Sequence, residues 1–299
     1  MPFTQKIIKV SFSSGGGGSP ATGGSSFSGD LSFDNLRTTC HVVAGGQNTL
    51  ITLDLLVYGM TLSHQNQIST LGWKGQRRSP DSVTVFAGDK NGLSMVYKGT
   101  IWAAYSDFQG GPNVPLHVIA HSGTRESGLK ANPTSINNKS ADVAQIMQDL
   151  AGKMGLQFEN NGVNVKIAYP YLAGDPKRQA WALAEHANID VTIDRDKLAI
   201  NPADGSRSGS ATVGPSNGLV GYPSWAQEGI RLKTVYLPDL MLNGNITVEG
   251  SSITPANGTW KIVRLEHSLQ SFTPNGEWFS NIVAWQPKAG QTEPTATSG

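Results

Sequence analysis

The hydrophobic period of this sequence changes twice along its length, and that limits the folds open to it. In "TLITLDLLVYGM", Ile51, Leu53, Leu55 and Val57 alternate with Leu50, Thr52, Asp54 and Leu56, which is the two-residue period of a strand. Both faces of that run are partly apolar, so it reads as a strand buried on both sides or facing another subunit. From Ser140 the period lengthens. Val143, Ile146, Met147, Leu150 and Met154 recur at i, i+3, i+4 and i+7, the stripe of an amphipathic helix. Strand spacing then returns and holds to the last apolar segment, where Val263, Leu265, His267 and Leu269 alternate with Arg264, Glu266, Ser268 and Gln270.

The remaining segments fit this frame. "IIKVSFSS", "LSFDNLRTTCHVVAG", "SVTVFAGD", "SMVYKGTIWAAYSDF" and "VPLHVIAHSG" read as short strands, with turns at Gly88, Gly92 and Gly99. Such spacing suggests a barrel or a sandwich. Residues 14–30, mostly Gly and Ser, lack the apolar area that would offset ordering entropy and are expected to form a mobile loop. The first helix should be capped by Ser140 and stopped by Gly155. "GDPKRQAWALAEHAN" should form a second, with Asp175 as N-cap, Pro176 in the first turn, and Ala180, Trp181, Ala184 and Ala187 facing inward. "IDVTIDRDKLAIN" reads as a hairpin pairing Val191 and Ile193 with Leu198 and Ile200. After the polar connector "PADGSRSGSATVGPSNG", "IRLKTVYLPDLMLNGNITVEG" is again strand-like. In the closing hairpin, Trp260 and Ile262 add apolar area to one strand, and Asn275-Gly276 in "TPNGE" suits a turn with positive φ. Trp278, Ser280, Ile282 and Ala284 share a face of the returning strand. "AGQTEPTATSG" is a polar tail.

The expected architecture is therefore mainly β with a small α/β insert. Its boundaries are a β region over 1–129, the α/β unit over 130–204, a second β region over 205–288 and a flexible tail over 289–299.

Composition narrows the function. Charged residues are 15% of the 299, against about 25% in ordinary globular domains, and glycines number 35. Low charge with many turns fits a β subunit whose surface is largely covered in an assembly. The net charge of +1 gives no general attraction to nucleic acid, and the basic pair Arg77 and Arg78 is not extended into a patch. No apolar stretch approaches the roughly 18 residues that would span a membrane. The opening "MPFTQKIIKVSF" has no signal-peptide core. A single cysteine, Cys40, excludes an internal disulfide and a multi-cysteine metal site, and points to synthesis in a reducing compartment.

Each chemical candidate is better read structurally. Cys40 and His41 are adjacent, so in a strand they point to opposite faces and cannot act as nucleophile and base. "HSGTRESG", from His121 to Gly128, holds a histidine, serines, Arg125 and Glu126, but has no Gly-x-Ser-x-Gly elbow and matches no triad spacing; it reads as a polar turn. Glu185 and His186 have no second histidine four residues on, and no His-Glu-x-x-His or Cys-x-x-Cys occurs. None of the 22 acidic residues is marked out as a glycosidase pair. "SGGGGSP" lacks the Gly-Lys-Ser/Thr of a phosphate loop. Trp260, Lys261, Arg264 and Trp278 interleave aromatic and basic side chains as a single-strand binding face would, but the near-zero net charge argues against one. His267, in register with an apolar face, reads as a packed histidine in a β wall. No catalytic, cofactor-binding or metal-ligating residue is assigned, and no cofactor is expected.

Four segments, in order, carry a resemblance. "ITLDLLVYGMTLSHQNQISTLG" (51–72), "DSVTVFAGDKNGLSMVYKGTIWAAY" (81–105), "KSADVAQIMQDLAGKMGLQFENNGV" (139–163) and "GTWKIVRLEHSLQSFTPNGEWFSNIVA" (258–284) resemble the phage tail baseplate hub proteins, the late control gene D-like family. The likeness spans roughly residues 7 to 287. Two departures stand out: the Gly/Ser loop has no place in the family pattern, and no lysozyme or spike region is present.

The resemblance implies two tube-type β-barrel domains flanking the α/β domain, and a structural virion protein that is not an enzyme. It implies a homotrimeric ring at the tail tip, in the baseplate, that joins a six-fold tail tube protein to a three-fold central spike protein. The ring would also contact other baseplate proteins and form part of the DNA conduit, without specific nucleic-acid binding. Such a protein would be made in the host cytoplasm and carried in the virion. The alternatives are a tail-associated peptidoglycan hydrolase, which would use His121 or Glu126, and a carbohydrate-binding β module using exposed tryptophans.

Overall fold

The structure is a computed structural model, and it describes residues 4–13, 30–45, 50–69, 82–106, 108, 113–227 and 229–286. The basic pair Arg77 and Arg78, residues 14–29 of the Gly/Ser stretch and the tail over 289–299 lie outside the described residues. The chain divides into two compact units. The first comprises residues 1–43, 52–122 and 267–278; the second comprises 44–51, 123–266 and 279–299.

The first unit is an antiparallel sheet of β1 (Ile7–Ser13), β2 (Leu31–Phe33), β3 (Thr38–Gly45), β4 (Thr52–Tyr58), β5 (Ser82–Asp89), β6 (Gly92–Ser106) and β7 (Pro115–His121). The spatial order is β2-β1-β5-β6-β7-β4-β3, with residues 267–271 beside β3. Alternation decides the core. Ile8, Val10 and Phe12 of β1, Leu53, Leu55 and Val57 of β4, and Leu116, Val118 and Ala120 of β7 are all buried, while their sequence neighbours are not. Fully burying one such aliphatic side chain contributes about 1.5–3 kcal/mol. The β6–β7 register slips between Ile101 and Ala103, so Trp102 is the extra residue of a bulge and stands 68% exposed. A short helix, α1 (Leu62–Ile68), is capped by the Thr61 hydroxyl, which accepts from the His64 N–H at 3.3 Å.

The second unit opens with two minimal ladders. β8 (Thr134–Ser135) pairs with a strand at Tyr171–Leu172, and β9 (Ala141–Asp142) pairs with one at Lys166–Ile167. Helix α2 (Val143–Met154) follows, then β10 (Gln157–Asn160), the two partner strands β11 (Lys166–Ile167) and β12 (Tyr171–Leu172), and helix α3 (Pro176–Ala187). The hairpin β13 (Ile189–Asp194) and β14 (Lys197–Pro202) pairs Val191 with Ile200 and Ile193 with Leu198, as the alternation predicts. β10 joins β14 in parallel, and the helices share one apolar core with this sheet, built from residues such as Met147, Leu150, Leu183 and Val191.

The helix ends test the capping expectations. Asp175 caps α3, accepting from the Arg178 N–H at 2.9 Å, and Gly155 ends α2 in the left-handed region at φ 71°. Ser140 is not the cap of α2. Ala141 and Asp142 are drawn into the ladder with β11, so the helix begins two residues later and the Asp142 carboxylate accepts from the Ala144 N–H at 2.8 Å. Trp181 is half-buried at the edge of this core, with the Lys177 ammonium 5.2 Å from its ring centre, and Leu183 is buried within it.

The rest of the second unit is β: β15 (Ser210–Val213), β16 (Ser224–Ala226), β17 (Gly229–Val235), β18 (Asn245–Val248), β19 (Gly258–Ser271) and β20 (Trp278–Trp285), of which β19 and β20 also supply residues to the first unit. β17 pairs antiparallel with β16 and β20, β20 neighbours β19, and β18 pairs antiparallel with β19 and parallel with β15. The buried face of β19 changes parity. Trp260 and Ile262 are buried in its first part and Leu265, His267 and Leu269 in its second, leaving Val263 half-buried between them.

In the turn after β19 the positive-φ residues are Phe272 (52°) and Asn275 (54°), not Gly276. Gly276 is there for closeness: a Cβ at that position would stand 2.9 Å from the Gln270 Cβ. The fold is mainly β with large antiparallel sheets. Among the described residues no strand pairing closes either into a barrel.

Candidate functional site

The singled-out chemical residues do not converge. Cys40 is fully buried, and its thiol is pushed up to about 12 by burial and then by the Asp54 charge, so the nucleophilic thiolate does not form. His41 points to the opposite, exposed face and sits across from Asp54. Asp54 is engaged instead by His117, whose Nε2 lies 3.0 Å from Oδ1.

His121 ends β7 with its ring edge-on to Trp102, centroids 5.9 Å apart. In the turn that follows, the Ser127 hydroxyl donates to the Gly123 carbonyl at 3.0 Å, and the Lys177 ammonium donates to the same carbonyl at 3.2 Å. Burial holds the Lys177 ammonium below its ordinary range, against the opposing charges of Glu126 and Asp175. Glu185 and His186 are exposed on the last turn of α3. Among the described residues no group of histidine, cysteine and carboxylate side chains is arranged to hold a metal, and no helix is long and apolar enough to cross a membrane.

Of the interleaved aromatic and basic side chains of β19 and β20, Trp260, Lys261 and Trp278 turn inward, while Arg264 stays exposed. Trp260 is buried, donates its indole N–H to the Ala256 carbonyl at 2.9 Å, and meets Trp225 edge-on at 6.2 Å. Trp278 is buried with the Lys6 ammonium 5.6 Å from its ring centre. His267 is buried too. Lys261, only 3% exposed, is the largest departure from the sequence reading.

Lys261 belongs to an ionic seam inside the second unit. All six residues of β13 are buried. Ile189, Val191 and Ile193 meet the helices, so Asp190, Thr192 and Asp194 face the other way, and each has a partner. The Lys261 ammonium donates to Asp190 Oδ2 at 2.8 Å and to the Ala203 carbonyl at 3.0 Å, and the Asn201 amide donates to the same carboxylate at 3.1 Å. The Asn243 amide donates to the Thr192 hydroxyl at 3.1 Å. Buried Arg207 bridges two carboxylates, with Nε 2.9 Å from Glu159 Oε1 and Nη1 3.0 Å from Asp194 Oδ2. Burial alone would raise the Glu159 carboxyl. The hydrogen bonds and charge of Arg207, with Asn161 and Lys197, outweigh it and hold the group at about 2. Burial opposes the Arg207 charge, and the two carboxylates more than restore it. Removing one partner here would leave an uncompensated buried charge and be strongly destabilising. Nothing in the sequence marks it, because partners such as Asp190 and Lys261 lie 71 residues apart.

Exposed side chains form the other notable feature. On the outer face of β17 and β20, Arg231 sits across from Val283 and Lys233 from Asn281, with the Lys233 ammonium 4.5 Å from the Phe279 ring centre. Arg264 and Glu266 on β19 pair at 2.7 Å. All of these except Phe279, together with Tyr222, line a groove of about 460 Å³. Trp102, Tyr105 and Phe108 in the first unit, and Tyr169, Tyr171, Tyr222 and Trp225 in the second, leave large aromatic surfaces uncovered.

The described residues thus comprise two β-rich units, a buried ionic seam and several uncovered aromatics. Solved structures carry the same fold. The 43 kDa tail protein of prophage MuSo2 from Shewanella oneidensis is similar over 98% of this chain and 100% of its own, with a TM-score of 0.61 at 10% identity. A tail protein from Neisseria meningitidis MC58 covers 93% of this chain and 96% of its own, with 0.58 at 9% identity. The E. coli c3393 protein, a type VI secretion system component described as structurally similar to the T4 tail proteins gp27 and gp5, covers 88% of this chain and 76% of its own, with 0.55 at 8% identity. No curated protein matches the sequence.

The baseplate hub gp41 family model matches residues 36–275, and the chain belongs to that family. Its role is structural and at the tail tip, and it is not an enzyme.

Proposed function

We propose that three copies of this chain form a ring that joins the six-fold tail tube to the three-fold central spike and forms part of the DNA conduit. The observation that carries this reading is the baseplate hub match over residues 36–275. It is supported by an arrangement in which β-rich segments precede and follow an α/β core. In this reading residues 1–129 and 205–288 are two similar tube-like domains, 130–204 the α/β domain between them, and 289–299 a flexible tail. Three subunits then present six similar β domains to the tube above and three equivalent surfaces to the spike below. Each open sheet is completed into a tube-type barrel wall within the ring, where strand edges are covered by neighbours. Tail tube, central spike and other baseplate proteins are its partners. The protein is made in the host cytoplasm and works in the virion.

Light scattering on the purified chain across a concentration series tests the ring. A mass of three subunits is expected. A monomer at the highest concentration reached would remove the reading. His267→Ala should lower stability or trimer formation and no catalytic rate, which thermal melting and the same light-scattering series check.

A further inference from the structure

The groove on the outer face of β17, β20 and β19 is not explained by subunit architecture alone. Among the described residues, three cations, Arg231, Lys233 and Arg264, and one carboxylate, Glu266, line it, a charge of +2 from these four side chains. Arg264 is already committed to Glu266 by two contacts, at 3.0 and 2.7 Å. Among the described residues no ion pair reaches Arg231 or Lys233. These two lie on one face of one strand, two residues and so about 6.8 Å apart along it, close to the separation of successive phosphates on one nucleic-acid strand. The neighbouring polar positions, Asn281 and Tyr222, can donate to phosphate oxygens, and Tyr222 is 73% exposed. The groove is open and its volume of about 460 Å³ suits a stretch of extended polymer.

We infer that this groove contacts the phosphodiester backbone of a passing nucleic-acid strand, independently of its sequence. The inference rests on the conduit reading above and adds to it the residues that touch the cargo. An acidic protein segment would satisfy the cations but leave the exposed Tyr222 ring without a role, whereas a nucleic acid offers both phosphates and flat bases. Contact through two cations outside any ion pair among the described residues is weak and strongly salt-dependent, which suits a polymer that must slide rather than dock.

The test is fluorescence anisotropy of the full chain with a labelled duplex oligonucleotide and its single strand, from about 50 to 200 mM salt. Arg231→Gln/Lys233→Gln should weaken binding of both probes about tenfold or more at the lowest salt. It should also make the log–log salt slope less negative by about 1.5 to 2. Lys130→Gln/Lys139→Gln, which removes the same charge from exposed positions outside the groove, should change neither. Tyr222→Ala should weaken the single strand more than the duplex.

Equal binding by the Arg231/Lys233 variant and the parent overturns the inference, as does absence of binding by the parent at the lowest salt. Polyglutamate competing as well as DNA at equal charge would assign the groove to an acidic protein segment and overturn it too. Light scattering on the same samples separates the two readings. Trimers that do not bind DNA sink the groove alone, and monomers that bind DNA through these residues sink the hub reading alone.

Discussion

Strand β1 in the first unit buries every second side chain, whereas strand β13 in the second buries all six. The first is held by the hydrophobic effect on one face. The second is apolar toward its helices and charged toward Lys261, Asn201 and Arg207. Apolar burial is tolerant and additive in small steps, while a buried ionic face works only when every member is present. The first unit should therefore respond to core substitutions in proportion to volume lost, and the second should fail abruptly when one charge is removed.

The largest expected effect is at the seam. Lys261→Ala leaves Asp190 charged and buried and should cost about 3–5 kcal/mol in urea unfolding. The double change Lys261→Met/Asp190→Leu should recover most of that loss; no recovery would mean that the pair is not the cause. Next comes the apolar contrast. Leu55→Ala should cost about 2–5 kcal/mol by leaving a cavity, with no recovery available from a change of charge.

Acid should distinguish the two units further. Glu159 has its folded value near 2, below the ordinary value of 4.5, so its contribution is fully present above pH 4.5 and is lost as pH falls toward 2. Glu159→Gln should flatten the stability profile in that window, as unfolding followed at several pH values would show. The smallest effects lie at the surface. Asp175→Ala should cost about 1 kcal/mol as a lost cap. Arg264→Ala, breaking an exposed pair with Glu266, should cost no more than about 1 kcal/mol in the same melts.

What could be read from the sequence follows the same division. The period-two runs gave the strands of the first unit, and the Val191–Ile200 and Ile193–Leu198 pairs appear in register because local alternation reports which face is buried. Asp175 and Gly155 were legible because caps act within one turn. Ser140 misled because the choice of cap was made by a ladder with Lys166 and Ile167, some 25 residues on in the chain. Lys261 and Arg264, three residues apart on one strand, point to opposite faces of it. In the structure the first is sealed against Asp190 and the second stands in the open groove. The ionic seam and the groove join strands distant in sequence, and no local period encodes them.

The claim that most needs testing is the ring itself. Electron microscopy of the purified chain at a concentration where assembly is complete measures it directly. The account predicts closed particles of three subunits presenting six similar β domains around a central channel. Single isolated subunits, or closed rings with a subunit number other than three, would contradict it.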